Sequence, residues 1–315
     1  MSAERYVNTL KPGDLFRDWL IDIAGDNVHD KHCRVKVYKV PASHTVCRYE
    51  FAKERYSVFA KFYGEPRGGN VKYNAGKAMD NEFKKLKLAQ RFINIPRPLA
   101  KREKFNCVLV TECISGKTLS KYINSEEKLY DKLTILARSL KGLHDGTRSS
   151  YKKDKEFANF HKVLNQVGLN MPLKERYDNL LGNWWYNERS NWPYGSMIHN
   201  DANPANYLFY RDKVFALDFE SSWYHAHPVH DLGIVAAELK KYFGWNKHDP
   251  RRAEPYIGHF LWQYSKSEDE FYRVTRALPF FMSLGLLRMA RWHVNRDQRH
   301  YLLSEAEACL RSGLS

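Results

Sequence analysis

Three short runs rich in β-branched and aromatic residues lie close together near the start of the chain, and they constrain its fold most. They are CRVKVYKV (33–40), VCRYEF (46–51) and YSVFAKFY (56–63), separated only by tight links. Such runs predict neighbouring antiparallel strands. From about Gly116 onward the sequence has mainly helical periodicity. The sequence therefore predicts an α+β protein with two lobes, an antiparallel β-rich N-lobe and a mainly helical C-lobe.

The length of 315 residues also favours two lobes over a single compact core. We expect an N-terminal helical extension over residues 1–32, because an amphipathic pattern there ends at a turn. The N-lobe then covers residues 33–115, and the C-lobe covers residues 116–315. Within the N-lobe, the pattern over 75–92 predicts a helix and the apolar run over 107–114 predicts a buried strand.

The chain carries 51 Lys and Arg against 36 Asp and Glu, which gives a formal net charge of +15. Such a surface attracts nucleotides, nucleic acids, anionic lipids or acidic sugars, and it repels polycations. The five cysteines are odd in number and include no CxxC pair, so we expect reduced thiols and neither disulfides nor a zinc site. The sequence shows no signal-peptide pattern and no run of about 18 apolar residues, so we expect a cytoplasmic protein.

A polar cluster lies between short apolar runs in the segment SMIHNDANPANYLFYRDKVFALDFE (196–220). Asp201 and Asn206 have the spacing D-x-x-x-x-N, and Asp218 follows on the next predicted strand. Protein kinases use this spacing in the catalytic loop, where the aspartate contacts the acceptor hydroxyl and the asparagine binds Mg²⁺, while a later aspartate chelates the metal. Carboxylate and carboxamide oxygens suit such a hard cation. The alternative interpretation is a polar hairpin whose carboxylates only cap turns.

Together with its surroundings, this segment resembles the aminoglycoside phosphotransferase and choline kinase family, which has a protein-kinase-like fold. The family motif His-x-Asp-x-x-x-x-Asn matches His199, Asp201 and Asn206, and LDFE matches its metal-binding strand. HPVHDLG places Asp231 where the family has an aspartate that braces the catalytic loop. The resemblance implies ATP and Mg²⁺ as cofactors and Asp201 as the catalytic residue. It also implies Asn206 and Asp218 as metal ligands, and His199 and Asp231 as structural support of the site.

The same resemblance assigns two N-lobe residues to nucleotide binding. Lys61 lies in the third predicted strand, where kinase-like folds keep the lysine that pairs with the α- and β-phosphates. Glu82 on the following helix is the acid expected to orient that lysine. Asp80 is the alternative acid if the helix phase differs by a residue or two. A lysine that points to solvent is the other interpretation of Lys61.

Two further N-lobe segments are expected to contact the nucleotide. Family members often have a glycine between the first two strands, over the phosphates, but residues 40–46 contain none. Ser43 and Thr45 would then reach phosphate through their side chains or amides. The segment TECI (111–114) would join the two lobes. There, Glu112 and Cys113 would meet the adenine mainly through main-chain groups.

The acceptor is expected to be a small molecule, because the chain has little room for a peptide platform. Asp218 and Asp231 are only 13 positions apart, and no A-P-E follows them. Residues 146–195 instead form a long insertion before the catalytic loop, rich in aromatic side chains that could stack on a sugar ring. Packing in the core is the alternative role of these side chains. The candidate acceptor-binding residues are Trp184, Trp185 and Trp192.

The positive charge favours neutral or anionic acceptors over polycationic aminoglycosides. We therefore expect ATP-dependent transfer of the γ-phosphate to a hydroxyl of a sugar or a related polar metabolite. One alternative is a lipopolysaccharide core-sugar kinase that acts on a glycolipid acceptor in peripheral contact with an anionic membrane. The other is a non-catalytic pseudokinase or binding scaffold. No specific nucleic-acid partner is expected.

Overall fold

The computed structural model describes residues 4–42, 44–64, 73–292 and 294–314. The chain divides into two compact units. The first comprises Met1–Arg91 with Ile95–Ser115, and the second comprises Phe92–Asn94 with Gly116–Ser315. Within the described residues, every helix is too short or too polar to cross a bilayer.

An antiparallel sheet with the strand order β1-β2-β3-β4-β6-β5 runs through the first unit. The strands are β1 (Arg5–Leu10), β2 (Val35–Val40), β3 (Thr45–Phe51), β4 (Ser57–Phe62), β5 (Pro98–Arg102) and β6 (Val108–Glu112). β2, β3 and β4 form the predicted meander, in which Val37 lies opposite Tyr49 and Cys47 opposite Ala60. All four of these side chains are buried. The antiparallel, β-rich first part of the fold is therefore confirmed.

The sequence does not predict β1 or β5. β1 pairs with β2 at the edge of the sheet, and most of its residues are exposed. An exposed edge strand needs no alternation of apolar and polar residues, so periodicity does not detect it. The segment 1–32, expected to be helical, thus contains a strand as well as a helix. β5 begins at the second proline of the segment IPRPL (95–99), which the sequence marks only as a break, and it pairs with β6.

The helix expected near the N-terminus is present as α1 (Leu15–Ala24). It begins after Asp14, whose side chain accepts hydrogen bonds from two amides of the first turn and so satisfies donors that have no partner inside the helix. Leu20 and Ala24 are buried in one apolar core with residues of the sheet. α1 therefore contributes to the core of the first unit.

The phase of α2 (Ala75–Ala89) determines which acidic residue lies on its buried face. The buried residues of this helix include Met79, Glu82 and Leu86, at spacings of three and four, which place them on one face. Asp80 falls outside this face and is only partly buried.

Helices make up most of the second unit, as the sequence predicts. They are α3 (Leu119–Ser125), α4 (Leu129–Gly146), α5 (Lys153–Val167), α6 (Met171–Tyr186), α7 (Val229–Lys241), α8 (Glu254–Tyr264), α9 (Glu268–Ala290) and α10 (Arg296–Ser312). The strands of this unit are β7 (Lys117–Thr118), β8 (Ser196–Ile198), β9 (Tyr207–Tyr210), β10 (Lys213–Ala216) and β11 (Trp223–Ala226).

Two antiparallel strand pairings bring the polar loops of the second unit together. β9 and β10 form a hairpin, and β8 pairs with β11. One loop follows β8 at residues 199–206, and the other follows β10 at residues 217–222. The amide of Leu217 donates to the carbonyl of Asn206 at 2.8 Å. The two loops are therefore in direct contact.

Helices α7 and α9 pack closely because glycine lies at their contact. A Cβ atom added at Gly233 would lie 2.4 Å from Cβ of Phe281, and one added at Gly285 would lie 2.7 Å from Cβ of Ala237. Real Cβ atoms do not approach other atoms so closely. The two glycines therefore permit the separation at which α7 and α9 carry side chains to the polar loops.

Candidate active site

Asp201 and Asn206 lie together in the loop after β8. Nδ2 of Asn206 donates to both the carbonyl and Oδ2 of Asp201, each at 2.9 Å. Oδ1 of Asp201 lies 3.6 Å from Nη2 of Arg288 on α9. These contacts fix the orientation of the carboxylate, while its 37% exposed side chain remains open to a ligand.

The oxygen atoms expected to hold Mg²⁺ come from the two loops in contact. The bond from Leu217 to the Asn206 carbonyl places Asp218 next to Asn206, and Asp218 has a left-handed backbone with φ of 61°. Because Nδ2 of Asn206 binds Asp201, its Oδ1 is the atom that could bind a cation. Carboxylate and carboxamide oxygens fit Mg²⁺. Glu220 is a further candidate that sequence reasoning missed, although LDFE includes it: one of its carboxylate oxygens lies within 4.8 Å of one from Asp218.

His199 and Asp231 both bind the backbone of the loop after β8. The two carboxylate oxygens of Asp231 accept 2.8 Å hydrogen bonds from the amides of His199 and Asn200. Nε2 of His199 lies 2.7 Å from the Leu217 carbonyl, and the amide of Asp201 donates to its Nδ1 at 3.3 Å. These partners assign the proton of a neutral imidazole to Nε2. The imidazole thus connects the two polar loops.

A residue that sequence reasoning missed, His144 on α4, completes this support. Its Nε2 lies 3.1 Å from Oδ2 of Asp231, and its Nδ1 lies 2.9 Å from the Tyr264 hydroxyl. Burial alone would raise the pKa of Asp231, but the hydrogen bond from His144 and the nearby histidines outweigh it and lower that pKa. The sequence gives no signal for His144, because it occupies an ordinary position of an amphipathic helix.

In the first unit, Nζ of Lys61 donates to Oε2 of Glu82 at 2.8 Å. Their side chains are only 14% and 4% exposed. Tyr63 donates to the same carboxylate oxygen, and sequence reasoning missed it, although two residues along a strand return to the same face. Asp80 instead pairs with Lys101. The structure therefore favours Glu82 over Asp80 as the partner of Lys61. The side chain of Lys61 is mostly buried in this contact and does not extend into solvent.

Of the other nucleotide-binding candidates in the first unit, three lie in the described residues and one does not. Ser43 lies outside the described residues, and Thr45 begins β3 in a partly buried position. The amide of Glu112 donates to the Arg97 carbonyl at 2.9 Å. That amide is therefore not available to an adenine, and contact of Glu112 with the nucleotide through its carbonyl stays a prediction. Cys113 follows the end of β6, and burial raises the pKa of its thiol.

The tryptophans expected to bind the acceptor have different environments. Trp184 is fully buried on α6, and its Nε1 donates to the Leu310 carbonyl at 3.0 Å. Its predicted role is therefore wrong, because the indole packs inside the unit. Trp185 is 39% exposed, and Trp192 is partly buried with no hydrogen-bond partner for its indole nitrogen among the described residues. The described residues that line the cavity beside Asp201 include none of the three.

That cavity, of about 370 Å³, lies within the second unit and is bordered by the loop after β8, by α7 and by the end of α9. Its lining includes Arg288, Arg291 and Trp292, all of which sequence reasoning missed. Trp292 is 66% exposed. The run RMARW (288–292) carried a signal, because residues three apart at a helix end share a face.

Comparisons with known proteins relate the chain to small-molecule kinases. The model of the Phosphotransferase enzyme family matches residues 72–268. The ethanolamine kinase of Plasmodium vivax aligns with a TM-score of 0.60 and 14% identity, over 89% of this chain and 83% of that chain. The choline kinase of Cryptosporidium parvum aligns with a TM-score of 0.59 and 15% identity, over 93% and 94%. ADP-bound aminoglycoside phosphotransferase APH(2'')-Ib aligns with a TM-score of 0.56 and 14% identity, over 94% of this chain and 97% of that chain. No curated protein sequence matches the chain.

These structural similarities confirm the predicted protein-kinase-like fold. The family match covers more than half of the chain, so the protein belongs to the phosphotransferase enzyme family. Its class of activity is phosphoryl transfer to a hydroxyl acceptor.

Proposed function

We propose that the protein transfers the γ-phosphate of ATP to a hydroxyl of a small polar molecule, in particular a sugar. The observation that carries this proposal is that Asp201, held by Asn206, borders a cavity of about 370 Å³. An acceptor hydroxyl in that cavity would lie against a carboxylate of fixed orientation. Phosphoryl transfer depends chiefly on such alignment and on electrostatic stabilisation.

Asp201 accepts a hydrogen bond from the acceptor hydroxyl and directs its oxygen at the γ-phosphorus. The new oxygen–phosphorus bond forms as the bond from the γ-phosphorus to the bridging oxygen breaks, and ADP leaves with that electron pair. The hydroxyl proton passes to Asp201. Because the transition state is loose, alignment of the hydroxyl contributes more than its deprotonation.

The nucleotide needs partners of the opposite charge. Mg²⁺, when bound, neutralises charge on the phosphates, and Asn206 and Asp218 would hold it. Lys61 pairs with the α- and β-phosphates, and its contact with Glu82 orients it. The nucleotide would thus meet a cationic side chain of the first unit and metal-binding oxygens of the second unit, as in kinases.

Three features support a sugar as the acceptor. The short interval between Asp218 and Asp231 contains only β11 and the start of α7, so no long peptide-docking segment follows the metal site. Trp292 borders the cavity with an exposed indole, and aromatic faces pack well against sugar rings. The net charge of +15 disfavours a polycationic acceptor.

The first prediction concerns Asp201→Asn. We expect turnover of ATP with an accepted sugar to fall at least about 10²-fold, because the variant can neither orient nor receive the hydroxyl proton as a carboxylate does. Transfer of radiolabelled γ-phosphate to a panel of sugars and amino alcohols would measure it, with ATP binding followed separately by calorimetry.

The matched control is Asp212→Asn, which changes an exposed aspartate in the hairpin that follows the same loop. It should retain wild-type turnover. Near-normal turnover of Asp201→Asn would remove Asp201 from the proposed role. Absence of transfer from the wild-type protein to any hydroxyl acceptor would contradict the proposed function itself.

A further inference from the structure

The charges that border the cavity beside Asp201 are not evenly compensated. Among the described residues, three cations line it, Lys241 on α7 and Arg288 and Arg291 at the end of α9, against the carboxylates of Asp201 and Glu238. Each carboxylate already has a cationic neighbour. Glu238 lies 3.6 Å from Nζ of Lys241, and Asp201 lies 3.6 Å from Arg288.

Arg291 is the cation that remains. Its Nη1 donates to the neutral Oε1 of Gln166 at 2.6 Å, and within the described residues it makes no salt bridge. Burial lowers the pKa of Arg291, and the more distant carboxylate of Asp201 offsets only part of that effect. A partly buried cation without a carboxylate partner is unfavourable, so an anion brought to this position would be stabilised.

We propose that the acceptor carries an anionic group, a phosphate or a carboxylate, which Arg291 binds while the acceptor hydroxyl faces Asp201. This inference rests on the proposed function and narrows its substrate class to acidic sugars. A guanidinium presents a planar set of donors that matches the oxygens of either group. The guanidinium lies 5.2 Å from the ring centroid of Trp292, and that indole forms the adjacent wall for the sugar ring.

Arg291 also has a structural role that a test must separate from ligand binding. It is the C-cap residue of α9, and a cation at a helix C-terminus stabilises the helix dipole. Loss of that stabilisation would weaken the binding of charged and neutral acceptors alike. Loss of an anion contact would instead remove only the preference for charged acceptors, so the preference is the quantity to measure.

The experiment compares probes that share a pyranose ring but differ in charge. Binding of glucose, glucosamine, glucuronate and glucose 6-phosphate is measured by calorimetry on the full chain saturated with Mg²⁺ and a non-hydrolysable ATP analogue. We expect glucuronate or glucose 6-phosphate to bind at least about tenfold more tightly than glucose, the effect of one hydrogen bond between charged groups. The two anionic probes also distinguish a carboxylate site from a phosphate site. The preference should weaken as salt is added.

Two variants decide which residue is responsible. Arg291→Gln should reduce the preference for the anionic probes to about twofold or less. It removes the positive charge that makes a hydrogen bond to an anion stronger than one to a neutral group. Arg276→Gln, which changes an exposed arginine of the same helix that does not border the cavity, should keep the full preference.

Equal affinity for all four probes, including no measurable binding of any, would overturn the inference. So would a preference that persists in Arg291→Gln. A charge preference in a protein that transfers no phosphate would instead contradict the proposed function, so the two failures are distinguishable.

Discussion

At the scale of single residues, the carboxamide of Asn206 divides its polar atoms between two neighbours. Its nitrogen donates twice to Asp201, which leaves its oxygen for the proposed Mg²⁺. An aspartate at this position could supply the oxygen but not the donor, and it would add a negative charge beside Asp201. The spacing D-x-x-x-x-N is therefore chemically specific at both ends.

The next prediction concerns the partner of Lys61. Lys61→Ala should weaken ATP binding at least about tenfold, because hydrogen bonds to charged groups contribute about 1.5–3 kcal/mol. Glu82→Gln should have a milder effect in the same direction, because it weakens the contact that positions the lysine. Calorimetric titration with ATP and Mg²⁺ measures both.

Asp80→Asn is the matched control for Glu82→Gln, because it changes an acid of the same helix that pairs elsewhere. It should leave ATP affinity unchanged. A larger loss from Asp80→Asn than from Glu82→Gln would show that the other acid serves Lys61.

Asp231 gives a prediction about acid stability. Because its pKa is lowered from the ordinary value of 3.8, its ionised form stabilises the fold above that pH, and this stabilisation is lost as the pH falls through the folded-state pKa. Asp231→Asn should therefore lower the free energy of unfolding by at least about 2 kcal/mol near neutral pH. The difference from wild type should shrink below pH 3.8.

Chemical denaturation over a range of pH tests this, with activity measured in parallel. Asp212→Asn, at an exposed site, should change neither the stability nor its pH dependence. A difference between wild type and Asp231→Asn that stays constant down to the lowest pH would show that the carboxylate charge does not stabilise the fold.

At the scale of elements, the contact of α7 with α9 connects the core of the second unit to the site. α7 carries Asp231 at its start and Glu238 near its end, and α9 carries Arg288. The glycines at the contact let the two backbones approach. The positions of these three polar groups therefore depend on apolar packing one or two turns away.

Substitution of one such glycine tests this dependence. Gly233→Ala should lower the free energy of unfolding by about 1–3 kcal/mol, the range for overpacking, because its new Cβ would meet both the side chain and backbone of Phe281. It should also lower turnover, since Asp231 lies two residues away. Thermal denaturation and the phosphate-transfer assay measure the two effects.

Gly182→Ala provides the opposite control within a helix. Among the described residues, no atom outside its own stretch of helix lies within 4 Å of the added Cβ, so the better helix propensity of alanine should raise stability by about 0.5–1 kcal/mol. Stabilisation by both substitutions would show that the α7–α9 contact can expand without cost.

At the scale of the whole molecule, periodicity and spacing predict what depends on local sequence. The central strands of the first unit and the loop with Asp201 and Asn206 follow from patterns a few residues long. His144 and Arg291 could not be assigned in the same way, because their roles depend on partners far along the chain. Trp184 shows the converse: an aromatic-rich segment suggests a binding surface, but the helix turns that side chain into the core.

The net charge illustrates the same limit. A total of +15 predicts a preference for anions but not where they bind. In the described part of the chain, Arg291 is the incompletely compensated cation on the cavity that Asp201 borders. Whether acceptors are selected by charge therefore depends on a few residues at the ends of α7 and α9, and less on the rest of the surface.

The left-handed backbone of Asp218 restricts which residues could replace it during evolution. With φ of 61°, it has a conformation that glycine, asparagine and aspartate adopt most readily. Glycine has no side-chain oxygen for a cation, and asparagine has no charge. The backbone and the chemistry thus select the same residue for different reasons, and any replacement that keeps the charge, such as glutamate, must first pay a conformational cost.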